Sequence, residues 1–148
     1  MRETLFNWLG QTLYGKTCLD LFAGSGALGL EAASRGAERV VMVEKNSEVF
    51  RALRDNIAKL SCASISAYRQ DGLEFVSHDA HRYDVIFLDP PFDSDYLPKL
   101  LDILPQHLNE NGMVYVESGA AITVPPAWQV TKSGKAGQVH YQLLSMAK

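Results

Sequence analysis

Asp89-Pro90-Pro91-Phe92 closes the apolar run Val85-Ile86-Phe87-Leu88 and brings together three groups suited to a flat base with an exocyclic amine. The carboxylate accepts from an N–H, a carbonyl held by the stiff double proline accepts another, and the phenyl ring offers a stacking face. Each proline fixes φ and lacks an N–H, so the turn stays out of regular pairing and its carbonyls remain available. An ordinary strand-terminating turn would read the same way, because Asp-Pro is common in loops.

A second set lies earlier, in Asp20-Leu21-Phe22-Ala23-Gly24-Ser25-Gly26-Ala27-Leu28-Gly29. Gly24 and Gly26 allow close approach of backbone to a ligand, and the turn presents free N–H groups at a helix start. The glycines also satisfy the G-x-G-x-x-G dinucleotide pattern, a weak signal alone. Asp20 discriminates. A carboxylate so near the turn repels a pyrophosphate and attracts the ammonium and sulfonium of S-adenosylmethionine. Glu44 is placed to accept from two ribose hydroxyls of either cofactor. Asp71, with Gly72 and Leu73, suits an adenine amino group, or a helix N-cap.

The elements that must carry these residues alternate in type. Arg2 to Leu9 reads as a short helix, Thr17 to Phe22 as a strand, and Gly26 to Ser34 as a helix ended by Gly36 in a left-handed cap. Arg39 to Val43 is a β-branched strand leading into Glu44. Ser47 is expected to cap a helix in which Val49, Leu53, Ile57 and Leu60 recur at helical spacing. Ile65 to Arg69 is a strand, Leu73 to Ser77 a helix, Tyr83 to Leu88 a strand, Leu97 to Leu108 a helix and Gly112 to Val116 a strand. Trp128 to Lys132 and Val139 to Leu144, separated by a Gly-rich loop, read as a β-hairpin.

This order predicts an α/β fold: a Rossmann-like, doubly wound, mostly parallel sheet with an antiparallel C-terminal hairpin. Ligands bind outside the carboxyl ends of the strands in such sheets. Asp20, Glu44, Asp71 and Asp89 each fall at or just past such an end, which defines one cleft.

The chain has 148 residues, the size of one domain able to bury roughly 70% of its unfolded surface, and 1–148 reads as that domain. It has no apolar run near the ~20 residues of a membrane span and no signal-peptide pattern. Cys18 and Cys62 are too few for a disulfide framework, so a reduced, cytoplasmic protein is expected, with a monomer as the default. His78 and His81 are spaced like helical ligands but lack a third partner, and no metal is expected. The net charge of −3 makes the whole molecule no magnet for nucleic acid. Lys132 and Lys135, in the expected loop, and Arg51, Arg54 and Lys59 on one helix are read as solvated surface charge.

The segments Arg2 to Leu9 and Leu19 to Gly29, the turn Glu44-Lys45-Asn46, and Asp89 to Phe92 together resemble the RsmD family of class I S-adenosylmethionine-dependent methyltransferases. The resemblance runs from Arg2 to the final strand. It implies a seven-stranded sheet and methylation of the exocyclic N2 of one guanine in bacterial 16S ribosomal RNA, within a small ribosomal subunit or its assembly intermediate. It implies that Asp20, Phe22, Gly24, Ser25 and Gly26 bind the methionine moiety of S-adenosylmethionine, the product being S-adenosylhomocysteine. Glu44, Lys45 and Asn46 would take the ribose and adenine edge, Asp71, Gly72 and Leu73 the adenine, and Asp89, Pro90 and Phe92 the target base. The family's usual basic segment, which grips RNA, would precede Met1 and is expected to be absent. Methylation of adenine N6 or cytosine N4 in DNA, a nicotinamide-dependent oxidoreductase, and a cofactor-binding module without catalysis are the alternative readings.

Overall fold

In the computed structural model, which describes residues 2–90, 96–119, 122 and 124–147, the elements run α1 (Arg2–Leu9), β1 (Thr17–Asp20), α2 (Ala27–Ser34), β2 (Arg39–Glu44), α3 (Ser47–Leu60), β3 (Ile65–Arg69), α4 (Gly72–His78) and β4 (Tyr83–Leu88). They continue with α5 (Tyr96–Ile103), a 3₁₀ turn (Leu104–His107), β5 (Leu108–Ser118), β6 (Trp128–Ala136) and β7 (Val139–Met146). The seven strands form one sheet in the order β3-β2-β1-β4-β5-β7-β6. The first five pair in parallel, and β7 pairs antiparallel with both β5 and β6. The expected architecture is present.

Strand alternation divides the core between the two faces of the sheet. Cys18, Val40, Met42, Val85, Phe87 and Tyr115 pack with Leu5 and Phe6 of α1, Ala32 of α2 and Leu53 of α3. Their neighbours Leu19, Val41, Val43, Ile86, Leu88, Val114 and Val116 pack with Val76 of α4 and Leu100 and Leu101 of α5. Strands buried on both faces read as continuous apolar runs. The chain winds outward from β1 through β2 to β3, then returns to place β4 on the other side of β1. That reversal opens a crevice between the carboxyl ends of β1 and β4, where open α/β sheets bind ligands.

Several boundaries differ from the sequence reading. The helix expected to reach Leu108 ends at Ile103, because Pro105 lacks the N–H that would continue the ladder, and a 3₁₀ turn carries the chain into β5. Asn46, not Ser47, caps α3. Its side-chain oxygen accepts from the N–H groups of Glu48 and Val49 at 2.9 and 3.0 Å. Leu60 lies half exposed at the end of that helix.

The hairpin strands are longer than expected. Gly134 sits inside β6 opposite Tyr141, and a Cβ there would lie 2.6 Å from the Tyr141 ring. Its glycine marks a side chain laid across the strand, so the turn shrinks to Gly137 and Gln138, with Gly137 at φ +60°. Lys132 and Lys135 therefore stand exposed on β6, not in a loop. No helix among the described residues is long and apolar enough to cross a membrane.

Candidate active site

Asp20 ends β1, Glu44 ends β2, Asp71 follows β3 and Asp89 follows β4, so four parallel strands deliver four carboxylates to one rim. A cavity of about 720 Å³ opens there. Of the residues expected at a site, Phe22, Gly24, Glu44, Lys45, Asn46, Asp71, Gly72, Asp89 and Pro90 line it. Asp20, Ser25, Gly26 and Leu73 stand around it without forming its wall, and Phe92 falls outside the described residues.

Asp20 is 3% exposed. It accepts from the N–H of Gly29 at 3.2 Å, which ties the end of β1 to the first turn of α2. Burial pushes its carboxyl up to about 7, opposed by that bond and by one from the Phe22 N–H, and raised further by Asp89 and Glu44. Among the described residues no cation stands beside this carboxyl, and a buried carboxylate of that kind is a candidate for binding positive charge.

The glycine turn is held from the next strand. Glu44 accepts from the Gly24 N–H through Oε1 and from the Asn46 N–H through Oε2, each at 2.9 Å. A carboxylate has about four acceptor positions, so two remain for hydroxyl donors. Gly24 has φ +58°, and a Cβ built on it meets no atom within 4 Å. Glycine there keeps a left-handed turn unstrained and leaves cavity volume free. Gly26 serves packing instead: at φ +97° its Cβ would lie 2.6 Å from Leu53 Cδ1 of α3. Gly72 allows close approach to the turn just past β1, since its Cβ would sit 2.9 Å from the Leu21 carbonyl oxygen. Ser25 is exposed, and its carbonyl accepts from Asn56 Nδ2 at 3.0 Å.

Asp71 fills both roles weighed for it. Its Oδ2 caps α4 by accepting from the Glu74 N–H at 3.1 Å, while it lines the cavity. Its Oδ1 accepts from the Tyr96 hydroxyl at 2.5 Å, and the Tyr96 ring lies 5.6 Å from that of Phe22. Tyr96 and Leu21 line the cavity and were missed from sequence. An aromatic residue just after the double-proline segment was the available signal for Tyr96.

Asp89 lies at the exposed rim and accepts no hydrogen bond from the described residues. Its carboxyl is nonetheless raised to about 6, first by the protein crowding one side and then by the Glu117 carboxylate. The neighbouring Pro90 is buried. His78 and His81 lie elsewhere: His78 Nδ1 is 3.0 Å from the Glu74 carbonyl oxygen, and His81 Nδ1 is 2.8 Å from Asp79 Oδ1. Among the described residues, no group of three or more His, Cys, Asp or Glu is arranged to hold a metal ion.

A family model described as conserved hypothetical protein 95 matches residues 1–145. The chain is 36% identical over 148 residues to ribosomal RNA small subunit methyltransferase D of Escherichia coli, covering 97% of this chain and 75% of that one. The same-named protein of Haemophilus influenzae is 36% identical over 151 residues, with 97% and 78% covered. Among solved structures, Escherichia coli yhhF superposes with a TM-score of 0.91 at 37% identity, covering 98% of this chain and 83% of that one. A conserved hypothetical protein of Streptococcus pyogenes gives 0.89 at 29% identity, covering 97% and 94%. With its sheet order, its switch-point cavity and these relatives, the chain belongs to the RsmD family of methyltransferases.

Proposed function

We propose that this protein transfers the methyl group of S-adenosylmethionine to the exocyclic N2 amine of a guanine in 16S ribosomal RNA. The observation that carries the reading is a continuous cavity joining Glu44 and Asp71 at one end to Asp89 and Pro90 at the other. The relatives named ribosomal RNA small subunit methyltransferase D support the RNA substrate.

The residues present suit S-adenosylmethionine. Asp20 offers a buried, uncompensated carboxylate to the positive methionine end, and the bare Cα of Gly24 leaves room against the turn. The two spare acceptor positions of Glu44 suit a ribose diol, with Lys45 and Asn46 beside it. Asp71, held by Tyr96 and the α4 cap, faces the adenine end with Gly72 and Leu73. When bound, S-adenosylmethionine supplies a methyl carbon already activated by its sulfonium, to which an amine nitrogen bonds as the carbon–sulfur bond breaks and S-adenosylhomocysteine leaves.

The protein's task is then alignment. A guanine amine is a weak nucleophile because its lone pair is delocalised into the ring. The Asp89 carboxylate and the Pro90 carbonyl accept its N–H groups and turn that lone pair toward the cavity, with Phe92 as the stacking face. Stacking contributes about 1–3 kcal/mol, and alignment at attack distance supplies much of the acceleration. A base in a helix must be unstacked to reach the rim.

The test is transfer of labelled methyl from S-adenosylmethionine to small ribosomal subunits lacking the modification, with naked ribosomal RNA and duplex DNA alongside. Label on subunit RNA as N2-methylguanine is expected. Label on DNA, or on adenine or cytosine, would replace this substrate with a rival amine.

A further inference from the structure

The pairing of β4 with β5 puts a second carboxylate beside Asp89. Phe87 pairs with Tyr115 and Leu88 with Val116, so the next positions on the two strands are Asp89 and Glu117. Alternation places both on the face of Phe87 and Tyr115, above the rim. Glu117 is near enough to raise the Asp89 carboxyl.

Its orientation is fixed from below. The Tyr115 hydroxyl donates to Glu117 Oε1 at 2.8 Å, and the Tyr115 ring is 1% exposed, edge-on to Phe87 at 6.4 Å. Burial and the Glu117 carboxylate push the Tyr115 hydroxyl far above its ordinary value, so it stays a donor across the working pH range. Glu117 is thereby committed as an acceptor on one oxygen, while Oε2 accepts no hydrogen bond among the described residues.

Two carboxylates side by side offer acceptors and no donor. Among the bases, guanine presents the complementary edge, with N1–H next to its 2-amino group. In adenine and cytosine the ring nitrogen beside the exocyclic amine is an acceptor, and an acceptor facing a carboxylate is repelled. Resting on the methyl-transfer reading above, we propose that Glu117 is a base-selecting residue. It accepts the N1–H of guanine while Asp89 holds the amine that is methylated, and it excludes adenine and cytosine from the rim. Specificity built this way rejects a wrong base by leaving a polar group unpaired.

The experiment compares wild type with Glu117→Gln and Tyr115→Phe, using undermodified small ribosomal subunits and heat-denatured ribosomal RNA as probes. It reads kcat/KM, the labelled nucleosides, the pH profile, and S-adenosylmethionine affinity by calorimetry. Glu117→Gln is expected to lower kcat/KM on guanine by about 10- to 100-fold, on the scale of one specific base contact. Cofactor affinity should stay within about twofold, and the share of label on adenine and cytosine should rise.

Removing the neighbouring charge should also move the acid limb of the rate profile, expected near pH 6 in wild type, to lower pH. Tyr115→Phe keeps both charges, so it should lower kcat/KM less and leave that limb in place. An unchanged kcat/KM and acid limb in Glu117→Gln, with wild type active on guanine, overturns the inference alone. Cofactor affinity lost along with activity would make Glu117 a structural residue and also overturn it. Wild type that binds cofactor but methylates no RNA overturns the methyl-transfer reading, and this inference with it.

Discussion

Replacing Asp20 by asparagine should change how the ligand-free protein responds to pH, and the size of the change follows from the burial of one carboxyl. In the fold the group titrates near 7, whereas an unfolded Asp titrates near 3.9. A folded value above the unfolded one means that Asp20 costs no stability below about pH 4. It costs progressively more as pH rises toward 7, because the unfolded chain releases the proton first. About three pH units at 1.36 kcal/mol each give a loss of about 4 kcal/mol by pH 8.

The carboxamide in Asp20→Asn cannot ionise, but it puts an amino group where the carboxyl's second oxygen stood, at a cost of about 1 kcal/mol in the bonds with the Gly29 and Phe22 N–H groups. Asp20→Asn should therefore be slightly less stable than wild type near pH 4 and about 3 kcal/mol more stable near pH 8. For a chain of this size that is roughly 6–12 °C in Tm. The assay is thermal melting of both proteins from pH 4 to 8. Other carboxyls titrate in both, so the difference between the curves isolates Asp20. Parallel curves would refute the idea that a buried, uncompensated carboxylate sits at the end of β1.

Three further outcomes follow from the same geometry. Because Asp89 accepts only when ionised and titrates near 6, methyl transfer should fall as pH drops through 6, read from kcat/KM against pH; a rate flat down to pH 5 would contradict this. Gly24→Ala should weaken S-adenosylmethionine binding at least ~10-fold while costing about 1–2 kcal/mol of fold stability for its left-handed backbone, whereas Gly26→Ala should chiefly lower Tm through its clash with Leu53, as calorimetry and melting would separate. Asn46→Ala should lose about 1 kcal/mol as the α3 cap goes, and Ser47→Ala within about 0.5 kcal/mol, by denaturant titration.

Legibility in the sequence followed how local the physics is. The central parallel strands β2 and β4 announce themselves as apolar runs because both faces are buried, and the four carboxylates could be placed because each falls at or just past the end of a strand. What needed tertiary neighbours was hidden. Gly24 and Gly26 look alike in the chain, yet one opens onto a cavity and the other onto Leu53 of a different helix. Gly134 reads as a loop glycine until Tyr141 is laid across it from the paired strand. Tyr96 joined the site through a hydrogen bond to Asp71, 25 residues away, which no spacing rule predicts. Glu117 became visible when register put β5 beside β4.

The most direct test of the account is single-turnover methyl transfer by Asp89→Ala beside wild type, on undermodified small ribosomal subunits, with S-adenosylmethionine affinity measured on the same preparations. Transfer reduced at least ~100-fold with cofactor affinity within a few-fold is expected, since the role proposed for Asp89 is on the amine and not on the cofactor. Near-normal transfer by Asp89→Ala would contradict it and remove the rim carboxylate from the chemistry.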